Sequence, residues 1–443
     1  MPENSSLQSQ VYIKIDGADV SDEFMQALLE VNVESSLHMA DAATLVLHDP
    51  KLKWIDDATI APGKAVEIHT KATPEKSHSD LVFDGEFVEM EPQFGDGTHH
   101  LMVRAFDRLH RLSRGRSVRS FQNVTDSDVV QKLGQEAGLQ TEVDQTKQIY
   151  PYLFQNNQTN LEFLHERASA IGYLLYMEGK KLCFKPPAQS AQPIELQWAS
   201  NLSEFRPRLT TMAQFNKVSA RGWDPQNKKE IVSEVSQADG MREIGQQKQG
   251  GDMAKNAYNI EAADLVSHHP IREQSVADAK SKAVANRHQE RFIEAEGTCG
   301  GNPAIQAGSS VKIQSVGDQF SGTYLVTSVS HLYSAQHGYM THFGISGQTP
   351  STLLRVLAGD HKNGSHTGLV IGIVTDNQDP QGWGRVKVKY PALSSDHASD
   401  WARVVAIGGG DQRGIEFLPE VNDEVLCTDG TRLGRGNRLA SSA

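Results

Sequence analysis

The segment GIVTDNQDPQGWGRVKVKYP spans residues 372–391 and contains two apolar stretches separated by a polar turn. The second stretch, residues 384–390, alternates Val with Arg or Lys, which predicts a β-strand with one buried face and one hydrated face. The residues between the stretches are rich in Asp, Asn, Pro and Gly, which favour turns. A catalytic loop and an assembly loop would both have this composition, so the rest of the chain has to distinguish them.

The residues downstream of this segment predict a small barrel. Further short apolar stretches follow up to residue 427, and strands at this spacing are typical of an OB-type barrel. We interpret the opening segment as the first two strands of that barrel and the loop between them. The five predicted strands are TGLVIGIVTD, GRVKVKY, WARVVAIG, GIEFLPEV and DEVLC.

The composition of the whole chain limits its function. Its 443 residues include 43 Lys and Arg against 55 Asp and Glu, a formal net charge of −12. This disfavours a general nucleic-acid binder, which needs cations to neutralise phosphates. No apolar run approaches the roughly 18 residues of a membrane span, and the N-terminus lacks the pattern of a signal peptide. The three cysteines are far apart, which predicts neither a disulfide framework nor a zinc cluster.

Strand patterns dominate the first part of the chain. Apolar residues alternate in VYIKIDG, where Val11, Ile13 and Ile15 share a face, and again in ATLVLHD with Leu45 and Leu47. Gly-rich and Pro-containing turn signals separate these and later stretches up to about residue 106. Several short strands at this spacing predict a small antiparallel barrel or sandwich.

Helical patterns follow in residues 119–195. Two segments each begin with Thr and an acidic residue three positions later, a capping box, and each ends at Gly. A hairpin with its turn at Glu178 and Gly179 comes next. We interpret this region as a small α+β insertion. The capping pairs are Thr125 with Asp128 and Thr159 with Glu162, and the terminal glycines are Gly138 and Gly172.

Strand patterns return on both sides of a further helix, SVADAKSKAVANRHQERF, for which Ser275 is the expected N-cap and Asp278 its partner. The predicted fold class is mainly β with α+β insertions, in which two barrel-like domains precede a five-stranded OB-fold barrel. The predicted domains are a first β-barrel at residues 1–118, an α+β insertion at 119–195, a second β-barrel with a helical insertion at 196–348, a linker at 349–366 and the OB-fold domain at 367–443.

Motifs that carry catalysis are missing from the sequence. PGKAVE at residues 62–67 lacks the Ser or Thr of a phosphate-binding loop, and the HERAS stretch has Ser169 where a zinc protease needs a second His after His165. No GxSxG nucleophile elbow occurs. We therefore predict no enzyme activity, no catalytic residue and no cofactor. A carboxylate pair for glycoside cleavage stays open, because separation in space cannot be seen in a sequence.

Two other features favour structural explanations. His331, His337 and His342 are the best candidates for metal ligands, but a site needs matching geometry and outer hydrogen-bond partners, and polar positions on a hairpin are the favoured interpretation. Arg385, Lys387 and Lys389 form a basic stripe. Barrels that bind single-stranded DNA combine such stripes with stacking aromatics. Few aromatics are available here, namely Trp383 and Tyr390, which favours a hydrated or subunit-facing strand. For the histidines, we predict no metal site.

Several segments together resemble a known family. GIVTDNQDPQGWGRVKVKYP, SDWARVVAIGGG and RGIEFLPEVNDEVL resemble the OB-fold domain of VgrG spike proteins and phage baseplate assembly proteins. AFDRLHRLSRGRSVRSFQNVTDSDVVQKLGQEAGL, YLFQNNQTNLEFLHERASAIGYLLYMEGKKLCF and SVKIQSVGDQFSGTYLVTSVSHLYSAQHGYMTHF resemble the phage late control D, or tail-hub, family. The resemblance covers residues 10–426, and the order of hub and OB barrel is that of VgrG in contractile injection systems.

The resemblance implies a structural role. The two barrel-like domains would be hub domains, and a homotrimer would join the sixfold inner tube to the threefold spike and baseplate. The expected partners are further copies of the chain, the inner tube protein, baseplate proteins, a PAAR-type spike-tip protein and effector cargo, with no nucleic acid and no stable membrane insertion. The protein would be made in the bacterial cytoplasm and would act in a particle that is released or delivered towards a target cell.

The resemblance also assigns roles within the OB domain, where the loop after the first strand would be a structural element of a trimer collar. The residues expected to set its shape are Asp376, Asp379, Pro380, Gly382 and Gly384, and the OB-domain motif consists of Trp401, Arg403, Gly414, Phe417, Pro419 and Glu420.

The C-terminal residues depart from the family pattern. Family members continue from the fifth OB strand into a β-helix spike, whereas DEVLC is followed here by the polar, Gly-rich TDGTRLGRGNRLASSA. A β-helix spike is therefore expected to be absent. Two alternative functions remain, a hub that carries a cell-wall hydrolase and an OB-type nucleic-acid-binding protein. Type VI secretion, extracellular contractile systems and phage tails are all compatible with the sequence.

Overall fold

The computed structural model is built mainly of β-strands, which confirms the predicted fold class. Among the residues it describes, no helix is long and apolar enough to cross a membrane. Those residues are 11–37, 39–70, 80–95, 98–187, 192–212, 214–224, 227, 229–236, 249–266, 271, 273–334, 338–346, 369–390, 398–406, 409–410, 413–429 and 438–442. The predicted linker at 349–366 and His337 lie outside them.

The first β region has the period-two burial that its sequence predicts. Ile13, Leu45 and Leu47 are all 2% exposed or less and belong to one apolar cluster. A short helix that begins after Ser21 was not predicted. The elements are β1 (Val11–Ile15), β2 (Ala18–Asp19), α1 (Asp22–Ala27), β3 (Leu28–Ser36), β4 (Ala42–His48), β5 (Ala65–Thr70), β6 (Asp80–Gly95) and β7 (Thr98–Phe106).

The insertion packs its helices over a separate apolar cluster. Both predicted capping boxes are confirmed, and Gly172 ends the second helix in the left-handed conformation, with φ +73°. The predicted hairpin is also confirmed, since Glu178 pairs with Lys181. The elements are a 3₁₀ helix (Arg108–Ser113), β8 (Ser117–Val124), α2 (Asp126–Glu136), β9 (Gln140–Val143), β10 (Tyr150–Gln158), α3 (Asn160–Ile171), β11 (Leu174–Glu178) and β12 (Lys181–Lys185).

The second β region surrounds a third apolar cluster. Its longest helix begins two residues earlier than predicted, after Glu273, and has no side-chain cap. The prediction of Ser275 as the cap is wrong because Ser275 lies within the first turn of the helix. Its hydroxyl donates to Gln148 Oε1 at 2.7 Å. The elements are β13 (Ile194–Gln197), β14 (Leu202–Leu209), β15 (Lys217–Asp224), β16 (Lys229–Val235), α4 (Gly250–Tyr258), β17 (Ala263–Val266), α5 (Gln274–Glu290), β18 (Ile293–Gly300), β19 (Ser310–Gln314), β20 (Gly322–Leu325), β21 (Ser328–Ser334) and β22 (Gly338–Ile345).

One large sheet connects the two β regions. It has eleven strands in the order β14-β18-β22-β21-β3-β4-β7-β6-β5-β1-β2. The connection is the antiparallel pairing of β3 with β21, in which Val33 lies opposite His331. The two regions thus keep separate apolar clusters but share continuous backbone hydrogen bonding, which no local pattern in the sequence predicts.

The C-terminal residues form a closed five-stranded barrel in the order β23-β24-β25-β29-β28. Val374, Val386, Val388 and Val425 are 1% exposed or less and fill it. A separate two-stranded ribbon, β26 with β27, lies outside the barrel order. The elements are β23 (Leu369–Asp376), β24 (Arg385–Lys389), β25 (Ala402–Val404), β26 (Gly409–Gly410), β27 (Arg413–Gly414), β28 (Glu424–Asp429) and β29 (Arg438–Ser442).

One predicted barrel strand is wrong. The stretch GIEFLPEV does not enter the barrel, and β29, from the polar segment near the C-terminus, takes the remaining place between β25 and β28. Pro419 lies within the mispredicted stretch and cannot donate to a strand ladder. The register pairs Leu426 with Ser441 and Thr428 with Leu439.

Candidate functional site

One carboxylate organises the loop between β23 and β24. Asp379 accepts hydrogen bonds from the backbone N–H groups of Gln381 at 3.0 Å and Trp383 at 2.9 Å. The guanidinium of Arg385 donates to both carboxylate oxygens, from Nε at 2.8 Å and from Nη2 at 2.7 Å. The two side chains are only 3% and 13% exposed. A forked, charge-assisted pair of this kind fixes both partners in one geometry.

The charge of this pair is stable across ordinary pH. Hydrogen bonding from Arg385 holds the pKa of Asp379 well below its usual range, because the ionised carboxylate is the form that accepts these bonds. The guanidinium carbon also lies 4.9 Å from the centroid of the Trp383 ring and 6.0 Å from that of Trp401. Arg385, one member of the basic stripe, is therefore paired with a carboxylate of the adjoining loop.

The glycines of the loop allow its turn. Gly382 and Gly384 both have φ +66°, a left-handed conformation that side chains with a Cβ adopt at a cost. A Cβ at Gly384 would also lie 2.1 Å from Glu416 Oε1. Asp376 stabilises the start of the loop by accepting from Gln378 N at 2.9 Å, and Pro380 is exposed within it.

The second predicted residue set lies partly beside this loop. Asn377 donates from Nδ2 to the carbonyl of Pro419 at 3.1 Å, and Asp423 caps the following turn by accepting from Glu420 N at 2.8 Å. Trp401 is in contact with the basic stripe through Lys387, whose Nζ lies 5.0 Å from the ring centroid. The roles of the predicted OB-domain residues in assembly remain predictions. The other members of the set are Arg403 on β25, Gly414 on β27 and Phe417, which is 80% exposed.

An exposed apolar surface lies along the loop, and the sequence did not predict it. Leu418 approaches Gly384, to within 3.9 Å of an ideal Cβ there. We call Trp383, Ile415, Phe417 and Leu418 the apolar strip; they are 41%, 51%, 80% and 37% exposed. Large exposed apolar patches mark interaction sites more often than single exposed residues do. Pro419 was the available signal, because a Pro within an apolar run argues against a central strand.

The histidine candidates do not converge. His331 is 4% exposed, and its ring nitrogens contact the Tyr339 hydroxyl at 2.9 Å and the Ile305 carbonyl at 3.0 Å. Burial lowers the pKa of His331 to about 4. His342 lies opposite Ser330 at the next pair of the ladder, and it is exposed on the other face of the sheet. Within the described stretches no group of His, Cys, Asp and Glu has the arrangement of a metal site.

The fold joins two β regions through one sheet and adds a C-terminal five-stranded barrel. The chain belongs to the Alg8 N-terminal domain family, whose model matches residues 5–334. A second family model, the type VI secretion system/phage-baseplate injector OB domain, matches residues 370–428. A search of curated proteins finds no match.

Solved structures of tail and secretion proteins are similar in fold. The 43 kDa tail protein of prophage MuSo2 from Shewanella oneidensis is 14% identical, with a TM-score of 0.58 over 77% of this chain and 98% of that one. An E. coli type VI secretion component, described as similar to the phage T4 tail proteins gp27 and gp5, is 12% identical with a TM-score of 0.57 over 98% of both chains. A chain of the Francisella PdpA–VgrG complex is 11% identical, with a TM-score of 0.56 over 96% of this chain and 77% of that one. These similarities of fold confirm the predicted resemblance to VgrG and tail-hub proteins.

Proposed function

We propose that this chain is the structural hub-spike component of a contractile, phage-tail-like injection machine. The observation that carries the proposal is the combination of hub and OB barrel in one chain, which is similar in fold to the E. coli type VI secretion component over 98% of both chains. The match of residues 370–428 to an injector OB domain supports it independently. The chain acts as a homotrimer that joins a sixfold inner tube to a threefold spike and baseplate.

The shared sheet fits the role of a symmetry adaptor. Each chain supplies two β regions held in register by the pairing of β3 with β21. Three chains around one axis present these regions alternately, so that a threefold assembly offers a nearly sixfold surface to the tube. Continuous backbone hydrogen bonding between the regions keeps their spacing fixed under load.

The apolar strip supports contacts between copies at the barrel. Phe417 is 80% exposed and Ile415 51% exposed. They flank Glu416, whose carboxylate approaches Gly384 in the loop that Asp379 and Arg385 hold rigidly. A rigid loop that presents apolar side chains lowers the entropic cost of association. The loop residues from Asp376 to Gly384 therefore act by presenting the strip within a trimer collar.

The chain works without catalysis of its own. The proteins similar in fold are tail and secretion components, and the best histidine candidate, His331, is hydrogen-bonded within the sheet. Besides further copies of itself, its partners are the tube protein, baseplate proteins, a PAAR-type tip protein and effector cargo. The chain is made in the bacterial cytoplasm and acts within the injection particle.

The oligomeric state tests this proposal. Full-length protein is measured by light scattering across micromolar concentrations, alone and with the tube protein, and is imaged in negative stain. We expect a mass of about three chains and threefold rings. A monomer under every one of these conditions would contradict the trimeric hub.

Two assays separate the alternatives. Loss of turbidity of purified cell wall would favour a hub that carries a hydrolase. Salt-sensitive binding of single-stranded DNA would favour a nucleic-acid-binding barrel. We expect no DNA binding, because Arg385 is paired with Asp379 and the net charge is −12. We expect no loss of turbidity, because the sequence contains no catalytic motif of the kinds considered above.

A further inference from the structure

Two aspartates link the turn after β3 to the start of the 3₁₀ helix. Asp41 N donates to Asp107 Oδ2 at 3.1 Å, and Asp107 N donates to the Asp41 carbonyl at 2.9 Å. The Asp41 carboxylate accepts from Ser36 N at 3.1 Å, and the Asp107 carboxylate accepts from Leu109 N at 2.9 Å. Each carboxylate thus closes its own turn, and the two turns are joined by one backbone bond and by the bond from Asp41 N to the Asp107 carboxylate.

The surrounding cations are already matched by other carboxylates. Arg108 pairs with Asp84 at 2.7 Å, and Arg111 pairs with Glu86. Among the described residues, neither Asp41 nor Asp107 takes part in an ion pair. Asp107 is 4% exposed, so its negative charge is buried without a cation of its own, a costly arrangement.

The pKa values of both groups follow from this environment. Burial raises the pKa of Asp41 above its ordinary value. Burial, followed by the charge of Asp41, raises the pKa of Asp107 further. Two neighbouring carboxyls with few compensating charges bind a proton more readily than either would alone.

A cavity of about 480 Å³ gives the pair room to change. It is bounded by the turn after β3, by β6, by the β11–β12 hairpin of the insertion, and by residues of the second β region, so three parts of the chain meet there. Asp41 and Asp107 both line it. His38, in the same turn, lies outside the described residues. The other titratable or charged groups on the packed elements are Asp84, Glu86, Arg108, His110, Arg111, Tyr176, Glu178, Lys185 and His331.

We propose that Asp41 and Asp107 form a proton-dependent clasp that holds the turn after β3 against the 3₁₀ helix, and that losing the proton loosens the junction between the first β region and the insertion. With one proton bound, the pair carries a single negative charge that the backbone N–H groups stabilise. With both groups ionised, the two charges repel each other next to a cavity that water can enter. This inference concerns the hub alone and does not depend on the proposed injection function.

The direction of the pH effect follows from linkage. Because the folded-state pKa values are raised, the folded protein binds more protons than the unfolded chain above the ordinary Asp pKa of about 4. The stability of the clasp is therefore greatest at acidic pH. It decreases as pH rises through the folded-state pKa values, and it is constant again above them.

Hydrogen exchange of the full-length protein tests the clasp. The amides of Ser36, Asp41 and Leu109 are labelled between about pH 5 and about pH 9, with labelling times scaled to the intrinsic exchange rate. We expect their protection to fall by about tenfold or more over this range, since one unit of pKa shift corresponds to a tenfold change in the opening equilibrium. Asp41→Asn retains an acceptor for Ser36 N and removes the charge that raises the pKa of Asp107. In this variant the fall in amide protection that follows the ionisation of Asp107 should therefore occur at lower pH.

Asp57→Asn is the matched control. Asp57 also accepts a backbone hydrogen bond, from Thr59 N at 2.9 Å, but its pKa is lowered, first by the Thr59 hydroxyl. This variant should keep the wild-type profile at all three amides. Protection that does not change with pH in the wild type, or an unchanged profile in Asp41→Asn, would overturn the proposal.

Infrared spectroscopy of the wild-type protein gives a second readout that does not depend on how well the variants fold. At neutral pH we expect the carbonyl band of a protonated carboxyl group, which should disappear in mildly alkaline buffer. The band should be lost in Asp107→Asn and retained in Asp57→Asn. Its absence from the wild-type spectrum at neutral pH would show that the pair holds no proton, and the clasp would then be ruled out.

Discussion

The eleven-stranded sheet and the C-terminal barrel achieve a fixed shape in different ways. In the sheet, Ala43, Leu45 and Leu47 of β4 are all 0% exposed, within a large apolar cluster that the alternating sequence specifies directly. In the barrel the cluster is small, and a polar pair, Asp379 with Arg385, fixes the loop between β23 and β24. Because a small core buries little apolar surface, the barrel depends more on specific polar contacts than the sheet does.

The comparison can be tested first in the sheet, where the largest effect is expected. Leu45→Ala should reduce the free energy of unfolding by about 2–5 kcal/mol, because it leaves a cavity in a closely packed core. Leu29→Ala is the control on the neighbouring strand, where the side chain is 38% exposed. Denaturant unfolding measures both. Equal losses would mean that burial does not control the stability of the sheet.

The second test removes the polar pair of the barrel. Asp379→Asn should lower barrel stability by about 1.5–3 kcal/mol, the usual value of hydrogen bonds to charged groups. Asp376→Asn, which affects a carboxylate with one backbone bond in the same loop, should cost less. Because the pKa of Asp379 is lowered, its contribution is present above the ordinary Asp pKa of about 4 and is lost as pH falls below it. The stability difference between wild type and Asp379→Asn should therefore shrink in acid, and a difference that grows would contradict this account.

The third test addresses the loop backbone. Gly384→Val should cost about 1–3 kcal/mol, because a β-branched residue is strained at the positive φ of this position. Lys387→Ala should change stability by about 0.5 kcal/mol, since it loses only a half-buried contact with the Trp401 ring. Thermal unfolding and yield of assembled particles are measured for both. Similar effects of the two variants would show that loop geometry is not what matters.

The smallest effect on stability is expected at the apolar strip. Phe417→Ser should leave the unfolding free energy of the single chain within about 0.5 kcal/mol of wild type, because the side chain is exposed. It should weaken self-association by about tenfold or more if the strip is a contact between copies. Val405→Ser, which changes another exposed apolar residue of the barrel, is the control for sedimentation measurements. Unchanged association in Phe417→Ser would remove the strip from the interface.

Local patterns predicted much of the secondary structure. The capping boxes at Thr125 and Thr159 involve residues only three positions apart, so their chemistry is complete within the sequence itself. The cap predicted at Ser275 failed because the helix begins two residues earlier, after Glu273. The local signal gave the correct cap only where the start of the helix was also predicted correctly.

The candidate site was predicted only in part. The loop residues Asp379 and Gly384 were identified because turn-forming residue types are visible in a sequence. The pairing of Asp379 with Arg385 and the exposure of Phe417 were not predicted, since both depend on how the following segment crosses the loop. The stretch that contains Phe417 alternates like a barrel strand, and the structure gives that place in the barrel to β29.

By itself the sequence determined the β-rich class, the positions of most strands and helix caps, and the resemblance to tail-hub and VgrG proteins. These depend on periodicity, capping and turn residues, which act over a few neighbouring positions. Only the tertiary structure decided that β3 pairs with β21, that β29 closes the barrel, and that Asp41 meets Asp107. Each of these contacts joins residues distant in sequence, and its free energy depends on what else could occupy the same place. No single stretch of the chain contains that information.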